Sequence, residues 1–193
     1  MTTPRPGRPV GREGSGEEGA RAASAEAERL CTHRLVFAKR MYLHGVEHSN
    51  RKDPFSQALA LHHFHAAAET TLKAVLLQRG VADSDLNLTF GALLKKVAAL
   101  PPQTLPLQPE MLKLNNLRNL VQHHNYQPAE EVQGQRYFTR SFLEHVFEHY
   151  LGRSFLQLSV ADDVTFSTVR ATLKEAEQHL AQGNHEGAYV ACW

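Results

Sequence analysis

The sequence predicts an all-α fold, an antiparallel helical bundle with a C-terminal helical extension. Apolar residues recur at steps of three, four or seven along most of the chain, which is the pattern of amphipathic helices. Capping residues, prolines and glycines stand where these segments begin and end. No window shows the sustained alternation of a strand bounded by hairpin turns. These observations together exclude a sheet as the organising element.

The first 23 residues have a different composition from the rest. They hold four Arg, three Glu, several Gly and Pro, and almost no large apolar residue. Such a segment buries too little surface to offset the entropy of ordering, so we expect residues 1–23 to be disordered. The helical bundle is predicted over residues 24–150.

Two long helices are predicted to form a hairpin at the start of the bundle. The first begins at Ser24, ends near Ser49, and is expected to pack through a stripe of Leu30, Phe37, Met41, His44 and His48. The second is expected to be capped by Asp53, to carry Pro54 in its first turn and to end at Gly80. The short link between them predicts an antiparallel pair.

The next helices are separated by proline-rich connectors. Thr89 is predicted to cap a short helix that Pro101-Pro102 ends, and Pro109 to begin a fourth helix that ends before Pro128. The fourth helix is apolar over more than half its circumference, through Met111, Leu112, Leu114, Leu117, Leu120 and Val121. We therefore expect it to be central in the bundle.

The last part of the chain is predicted to be helical as well. A fifth helix carries Phe138 to Tyr150 and breaks near Gly152. Two shorter segments follow, at residues 165–182 and after Asn184. Residues 151–193 are therefore interpreted as a helical extension, which could link the bundle to a partner or a further domain.

Composition narrows the classes of function. The 193 residues carry 21 Lys and Arg against 20 Asp and Glu, a balance that does not suit a protein dedicated to non-specific polyanion or membrane binding. The two cysteines, Cys31 and Cys192, match neither a disulfide framework nor a zinc site. No apolar run suits a membrane span or a signal peptide. We expect a cytoplasmic protein that does not contact a membrane, in which 12 His are the unusual feature.

The fourth helix carries a concentrated polar motif. The stretch Leu117-Arg118-Asn119-Leu120-Val121-Gln122-His123-His124-Asn125-Tyr126 combines a guanidinium, an amide, two imidazoles and a phenol. The same spacing of arginine and histidine recurs as Arg140 and His145, which we expect on a solvated face. Two purely structural interpretations remain open: an ion pair of Arg118 with Glu69, and a His123 stabilised by the helix dipole.

The motif and its helical context resemble the HEPN superfamily of helical nucleotide-binding and RNA-cleaving domains. The order is a long helix, a helix reading Ala66-Ala67-Ala68-Glu69-Thr70-Thr71-Leu72-Lys73-Ala74-Val75-Leu76-Leu77 that ends at a glycine, a short helix, and then Leu-Arg-Asn-Leu-Val-Gln-His. The family signature is an arginine, often followed by a polar residue, and a histidine after four to six positions. Arg118, Asn119 and His123 match it, and His124 matches the longer spacing.

The resemblance implies metal-independent RNA cleavage, often in toxins or antiviral defence, at a site assembled across a homodimer. Arg118 would bind the phosphate, and His123 or His124 would move the proton. Asn119 would orient the phosphate or the histidine. His62 and His65 would contact phosphates beside the groove. No metal or other cofactor is expected, and a member that binds nucleotides or a partner without cleaving is the alternative.

Tyr126 adds a second resemblance if His124 is the motif histidine. Some toxins of the family carry a tyrosine two positions after the histidine, which a partner nucleotidyltransferase antitoxin modifies. The simpler interpretation is a tyrosine that packs its ring against the helix end. An antitoxin or other partner protein is therefore an expectation from the resemblance alone.

The histidines also allow a metal hypothesis. Pairs four residues apart occur as His44 with His48, His65 with Glu69, and His145 with His149, and such pairs on facing helices can share an ion. In this respect the chain resembles DinB-like bundles that hold a metal with three histidines. A metal-binding bundle protein is thus a further alternative.

Overall fold

The computed structural model describes residues 15–192 of the chain, and this part is helical without strands. Its α helices are α1 (Ser15–Ser49), α2 (Pro54–Gln78), α3 (Phe90–Ala98), α4 (Gln108–His124), α5 (Glu131–Leu151), α6 (Ser167–Ala181) and α7 (His185–Ala191). Two 3-10 turns lie at Asp83–Leu86 and Val160–Asp163. The predicted all-α class is confirmed.

Helix α1 begins earlier than the sequence indicates. It starts at Ser15, inside the segment 1–23 for which we expect disorder, whereas residues 1–14 lie outside the described residues. The added turns read SGEEGARAA, in which Glu, Ala and Arg are strong helix formers. Our expectation weighed only the lack of large apolar residues and gave no weight to this propensity.

Four helices form the bundle and alternate in direction. Helices α1 and α2 are antiparallel, since Cys31 at the middle of α1 contacts the carbonyl oxygen of Ala74 near the end of α2, and His48 near the end of α1 stacks on His63. Helix α5 runs parallel to α2: Gln133 donates to the carbonyl oxygen of Ser49 at one end. The end of α1 and the starts of α2 and α5 therefore share one end of the bundle.

Helix α2, and not α4, is the central helix. It is buried along most of its length through Ser56, Gln57, Ala60, Leu61, Phe64, His65, Ala67, Ala68, Thr71, Leu72, Ala74, Val75 and Leu76. Helix α4 buries only Met111, Leu114 and Leu117, while Leu112 and Leu120 are 44% and 41% exposed. The expectation of a central α4 is wrong because its leucines divide between one packed face and the solvent.

The packed face of α1 also differs from the predicted stripe. Leu35, Val36, Ala38 and Tyr42 are buried, whereas Phe37 and His44 are exposed. Gly45 lies on this packed face, where an added Cβ would be 2.6 Å from the ring of Phe64. The closest approach of α1 to Phe64 is therefore on the side of Gly45 and Tyr42, and Phe37 faces away from it.

The predicted helix ends of the hairpin are confirmed. The Asp53 carboxylate accepts from the backbone N–H of Ser56 at 2.8 Å, and Pro54 opens α2. Gly80 follows α2 with a φ of +83°, a conformation that favours glycine. The Thr89 hydroxyl accepts from the backbone N–H of Ala92 and so caps α3.

The C-terminal helices attach to the bundle through the turn Val160–Asp163. Lys174 of α6 lies 2.5 Å from the Asp162 carboxylate, and Glu177 accepts from the backbone N–H of Val160. On the other side of the turn, His33 of α1 lies 2.6 Å from Asp163. Across residues 15–192, no helix has the length and apolar character needed to cross a membrane.

Candidate functional site

Arg118 lies half-buried on α4 without a carboxylate partner. Its Nη1 donates to Oδ1 of Asn119 at 3.0 Å, and it forms no ion pair with any residue of the described part of the chain. The proposed structural pair with Glu69 is absent there, because Glu69 contacts Lys73 at 2.6 Å and His65 at 3.6 Å. A guanidinium that is partly desolvated and lacks a counter-ion is available to an anionic ligand.

His65 lies beneath this arginine and is only 6% exposed. Its Nε2 is 3.0 Å from Oδ1 of Asn115 on α4, and its ring packs on Phe90 at 4.5 Å between centroids. Burial lowers the pKa of His65; Glu69 acts in the opposite direction, and the charge of Arg118 lowers the pKa further. His65 thus supports the α2–α4 contact from below the surface.

His62 lies one turn before His65 and is more accessible. Burial is the main cause that lowers its pKa, and the positive charge of Arg118 is the second. Helix α4 runs antiparallel to α2, because a short link joins its end to the start of α5, which lies at the same end of the bundle as the start of α2. His65 contacts Asn115, so His62 and Arg118 each lie one turn further along this antiparallel contact.

His123 and His124 occupy the last turn of α4 and are exposed. Neither forms a hydrogen bond or ion pair with residues 15–192. Residues five apart on an α helix point about 140° away from each other, so Arg118 and His123 of one chain face different directions. Asn119 and His123, four apart, share a face.

Tyr126 follows the end of α4, where Asn125 has a φ of +52°. Its hydroxyl donates to Oε1 of Glu131 at 2.5 Å, and this hydrogen bond is the main cause that raises the pKa of the phenol. The ring is 39% exposed. The tyrosine bridges the loop between α4 and α5 and keeps an accessible hydroxyl.

The second arginine–histidine pair has a different environment, as predicted. Arg140 is exposed and its Nε contacts Glu144 at 2.8 Å. His145 stacks on His149 at 4.0 Å and lies 3.3 Å from the Thr104 hydroxyl. The two arginine–histidine pairs have the same spacing in sequence. Arg140 nevertheless has a carboxylate partner, whereas Arg118 has none among residues 15–192.

The metal hypothesis finds no support in the arrangement of ligands. Within the part of the chain that the structure describes, no group of three or more His, Cys, Asp or Glu side chains is placed to hold a metal ion. The pairs His44 with His48 and His145 with His149 remain neighbours along their own helices. Helix packing brings His63 of α2 beside His44 and His48, but these three imidazoles are not placed to hold one ion.

Sequence reasoning missed one cluster. His63 of α2 lies between His44 and His48 of α1, with ring centroids at 5.9 and 5.3 Å. From sequence we paired His44 with His48 and did not join His63 to them. The sequence predicts an antiparallel α1–α2 hairpin but not its register, and the register is what brings these three rings together.

Comparisons with protein-family models, with curated proteins and with solved structures find no match to this chain.

Proposed function

We propose that the chain is a metal-independent endoribonuclease of toxin or antiviral-defence type, with Arg118, Asn119 and His123 or His124 as its catalytic residues. The observation that carries the proposal is the half-buried Arg118, which has an amide neighbour and no carboxylate partner among residues 15–192. Such a guanidinium is a ready site for a phosphodiester, because its planar fork of donors matches phosphate oxygens.

The chemistry assigns one task to each group. The ribose 2′-hydroxyl loses its proton as it attacks the adjacent phosphate, and an imidazole near neutrality can accept that proton or donate one to the leaving 5′-oxygen. Arg118 stabilises the charge that develops on the phosphate. Asn119, held against Arg118, orients the guanidinium or the phosphate without adding charge.

A second copy of the chain completes the proposed site. Arg118 and His123 of one chain point about 140° apart, so a single α4 does not present both to one phosphate. Two copies packed through exposed α4 surfaces would bring the arginine of one chain to the histidine of the other. Leu112 and Leu120 supply apolar surface on that helix for such a contact.

The activity of such a toxin must be inhibited in the cell that makes it, and Tyr126 is the residue through which we propose that inhibition acts. Its exposed hydroxyl stands two residues after His124, beside the proposed proton-transfer groups. A partner protein could transfer the nucleotidyl group of a nucleoside triphosphate to this oxygen, with release of pyrophosphate and of the phenol proton. The new phosphodiester would place a negative charge where the RNA phosphate must bind. The modified enzyme would then repel its substrate.

The test is cleavage of a mixed RNA pool in EDTA, with product ends examined for cyclic phosphate. The wild type is expected to cleave, and Arg118→Ala and His123→Ala to lose about 10²-fold or more of the rate. His124→Ala identifies which histidine acts. Arg140→Ala is the matched control, because Arg140 has the same spacing to a histidine but pairs with Glu144, and it should keep wild-type activity.

One observation favours a second function, a binding module that does not cleave. Within residues 15–192 of a single chain, Arg118 has no counter-ion and no contact with His123 or His124. If the protein is a folded monomer that binds RNA through Arg118 and cleaves nothing, this second function is correct. A dimer that cleaves excludes it.

A further inference from the structure

Three imidazoles form a cluster between α1 and α2, which we call the histidine cluster: His44, His48 and His63. The rings of His48 and His63 are stacked, 5.3 Å apart and 9° from parallel, and His44 lies 5.9 Å from His63. Nδ1 of His48 is buried and has no hydrogen-bond partner in the described part of the protein. An unpaired buried ring nitrogen is costly unless a ligand group forms a hydrogen bond with it.

The cluster continues towards the candidate active site. His62 follows His63 on α2, and it lies one turn before His65 as Arg118 lies one turn after Asn115, so the antiparallel contact of His65 with Asn115 brings His62 towards Arg118. His48, His63, His62 and Arg118 thus form a row that crosses α1, α2 and α4 in order. The row leads from the histidine cluster to the proposed phosphate-binding arginine.

The charges around the row are mostly positive. The groups that act on His63 are the imidazoles of His48, His44 and His62, and the charged group that acts on His62 is Arg118. One carboxylate approaches, that of Glu47, 3.8 Å from Nδ1 of His44 and well exposed. Three arginines are also near: Arg40 lies on α1, Arg51 lies in the α1–α2 link, and Arg136 of α5 contacts Asn50. The turn Val160–Asp163 contributes an apolar residue, Val160, beside His44.

This environment makes the charge of the row depend on pH. Burial lowers the pKa of His63, and its imidazole neighbours lower it further. The lowered pKa favours the uncharged form of His63 at neutral pH, and acidification adds positive charge where one exposed carboxylate, that of Glu47, is available to offset it. A bound phosphate would favour the protonated rings, and by linkage protonation favours the bound phosphate.

Flat rings at the surface favour single-stranded RNA over an acidic peptide as the ligand. Bases stack on aromatic and histidine rings, and the phosphates between them pair with cations. Phe55, 72% exposed, lies two turns before His62 on α2 and so on the same side of that helix. An acidic peptide has no bases that could stack on these rings.

We propose that the histidine cluster and His62 form a binding track for single-stranded RNA that leads to Arg118 and binds more tightly as the solution becomes acidic. The proposal rests on the proposed function in taking RNA as the ligand. It differs in assigning no cleavage to the track, which only holds the strand.

The test measures binding with a probe that cannot be cleaved. A fluorescein-labelled 2′-O-methyl oligoribonucleotide lacks the nucleophile, so its anisotropy reports affinity whether or not the protein is a nuclease. At about pH 6 the wild type should bind about 10-fold tighter than at about pH 7.5. A double variant with His48→Gln and His63→Gln should lose most of this difference, and His185→Gln, at an exposed histidine on α7, should keep it.

Three outcomes would overturn the proposal: affinity of the wild type that does not rise at the lower pH, a pH response that persists in the double variant, or poly-glutamate that competes as well as RNA. Circular dichroism at both pH values shows whether each variant is folded, and Phe55→Ala, which removes an exposed ring, weakens binding at both pH values if bases stack there. Cleavage in EDTA is assayed separately, so failure of the nuclease and failure of the track are distinguishable.

Discussion

Nε2 of His65 lies 3.0 Å from Oδ1 of Asn115, and this contact joins α2 to α4 one turn before Arg118. An amide oxygen only accepts, so Nε2 carries the proton and Nδ1 of the neutral ring faces Glu69 at 3.6 Å. The position of Arg118 on α4 therefore depends on the contact between α2 and α4, and this contact depends on the position of the His65 ring. Disturbance of His65 should be felt at Arg118.

We predict that the free energy of unfolding falls as the pH is lowered from about 7.5 to about 5.5. Burial lowers the pKa of His65 in the folded protein, so below its ordinary value near 6.5 the unfolded chain binds more protons than the folded chain. Stability is then lost as pH falls through that region. The lowered pKa values of His62, His63 and His145 act in the same direction.

His65→Gln isolates the largest expected part of this effect, since the amide can still donate to Asn115. Urea unfolding at the two pH values should show a protein that is about 1–2 kcal/mol less stable at pH 7.5 but loses less stability on acidification. His185→Gln should behave like the wild type. An unchanged pH dependence in His65→Gln would contradict the assignment.

Gly45→Ala should destabilise the bundle. The added Cβ would meet two ring carbons of Phe64 at 2.6 Å, and the ring is fully buried, so the α1–α2 contact must open. We expect a loss of about 1–3 kcal/mol in urea unfolding. Gly134→Ala is the matched control: its Cβ would lie 3.8 Å from Phe138, an ordinary contact, and alanine favours the helix by about 1 kcal/mol.

The fold was predictable where local rules decide it. Asp53, Pro54 and Gly80 set the ends of α2 through capping and backbone geometry that belong to the residues themselves. Which helix is central was not predictable from apolar content, because Leu112 and Leu120 of α4 count as apolar but face solvent. Only the packing of α1 and α5 on α2 settles that question.

The candidate site was predictable in part for the same reason. The motif on α4 is local, so its residues were identified from sequence. Arg118 has no carboxylate partner within residues 15–192, because the Glu69 side chain contacts Lys73 on its own helix. The sequence does not specify which of these two cations Glu69 contacts. The histidine cluster depends on the register between α1 and α2, which a single sequence does not specify.

Glu131→Gln should make the Tyr126 phenol easier to ionise. The hydrogen bond to the carboxylate raises the pKa of Tyr126, because the ionised phenol would lose the bond and face a second negative charge. An ultraviolet titration, read as the difference between Glu131→Gln and wild type, should show one of the five tyrosines titrating at lower pH. Adding Tyr126→Phe to Glu131→Gln should remove that difference. A difference that remains in this double variant would assign the shifted titration to another tyrosine.

A mixture of two inactive variants should recover activity if the active site forms across a dimer. With the arginine of each site supplied by one chain and the histidine by the other, a heterodimer of Arg118→Ala and His123→Ala has one intact site. Equal mixing makes half of the dimers heterodimers, so recovery of about one quarter of wild-type cleavage is expected after subunit exchange. The measurement is cleavage in EDTA by the mixture, with dimer exchange followed by a tag on one variant.

The control for this mixture is Arg118→Ala combined with a chain that carries both substitutions, since that heterodimer holds no intact site and should stay inactive. Recovery in the first mixture alone would show that the arginine and the histidine act from different chains. Heterodimers that form and remain inactive would place all the groups of one site on the same chain or require all four at once. Because Arg118 and His123 of one α4 point about 140° apart, the first of these explanations would require the last turn of the helix to unwind.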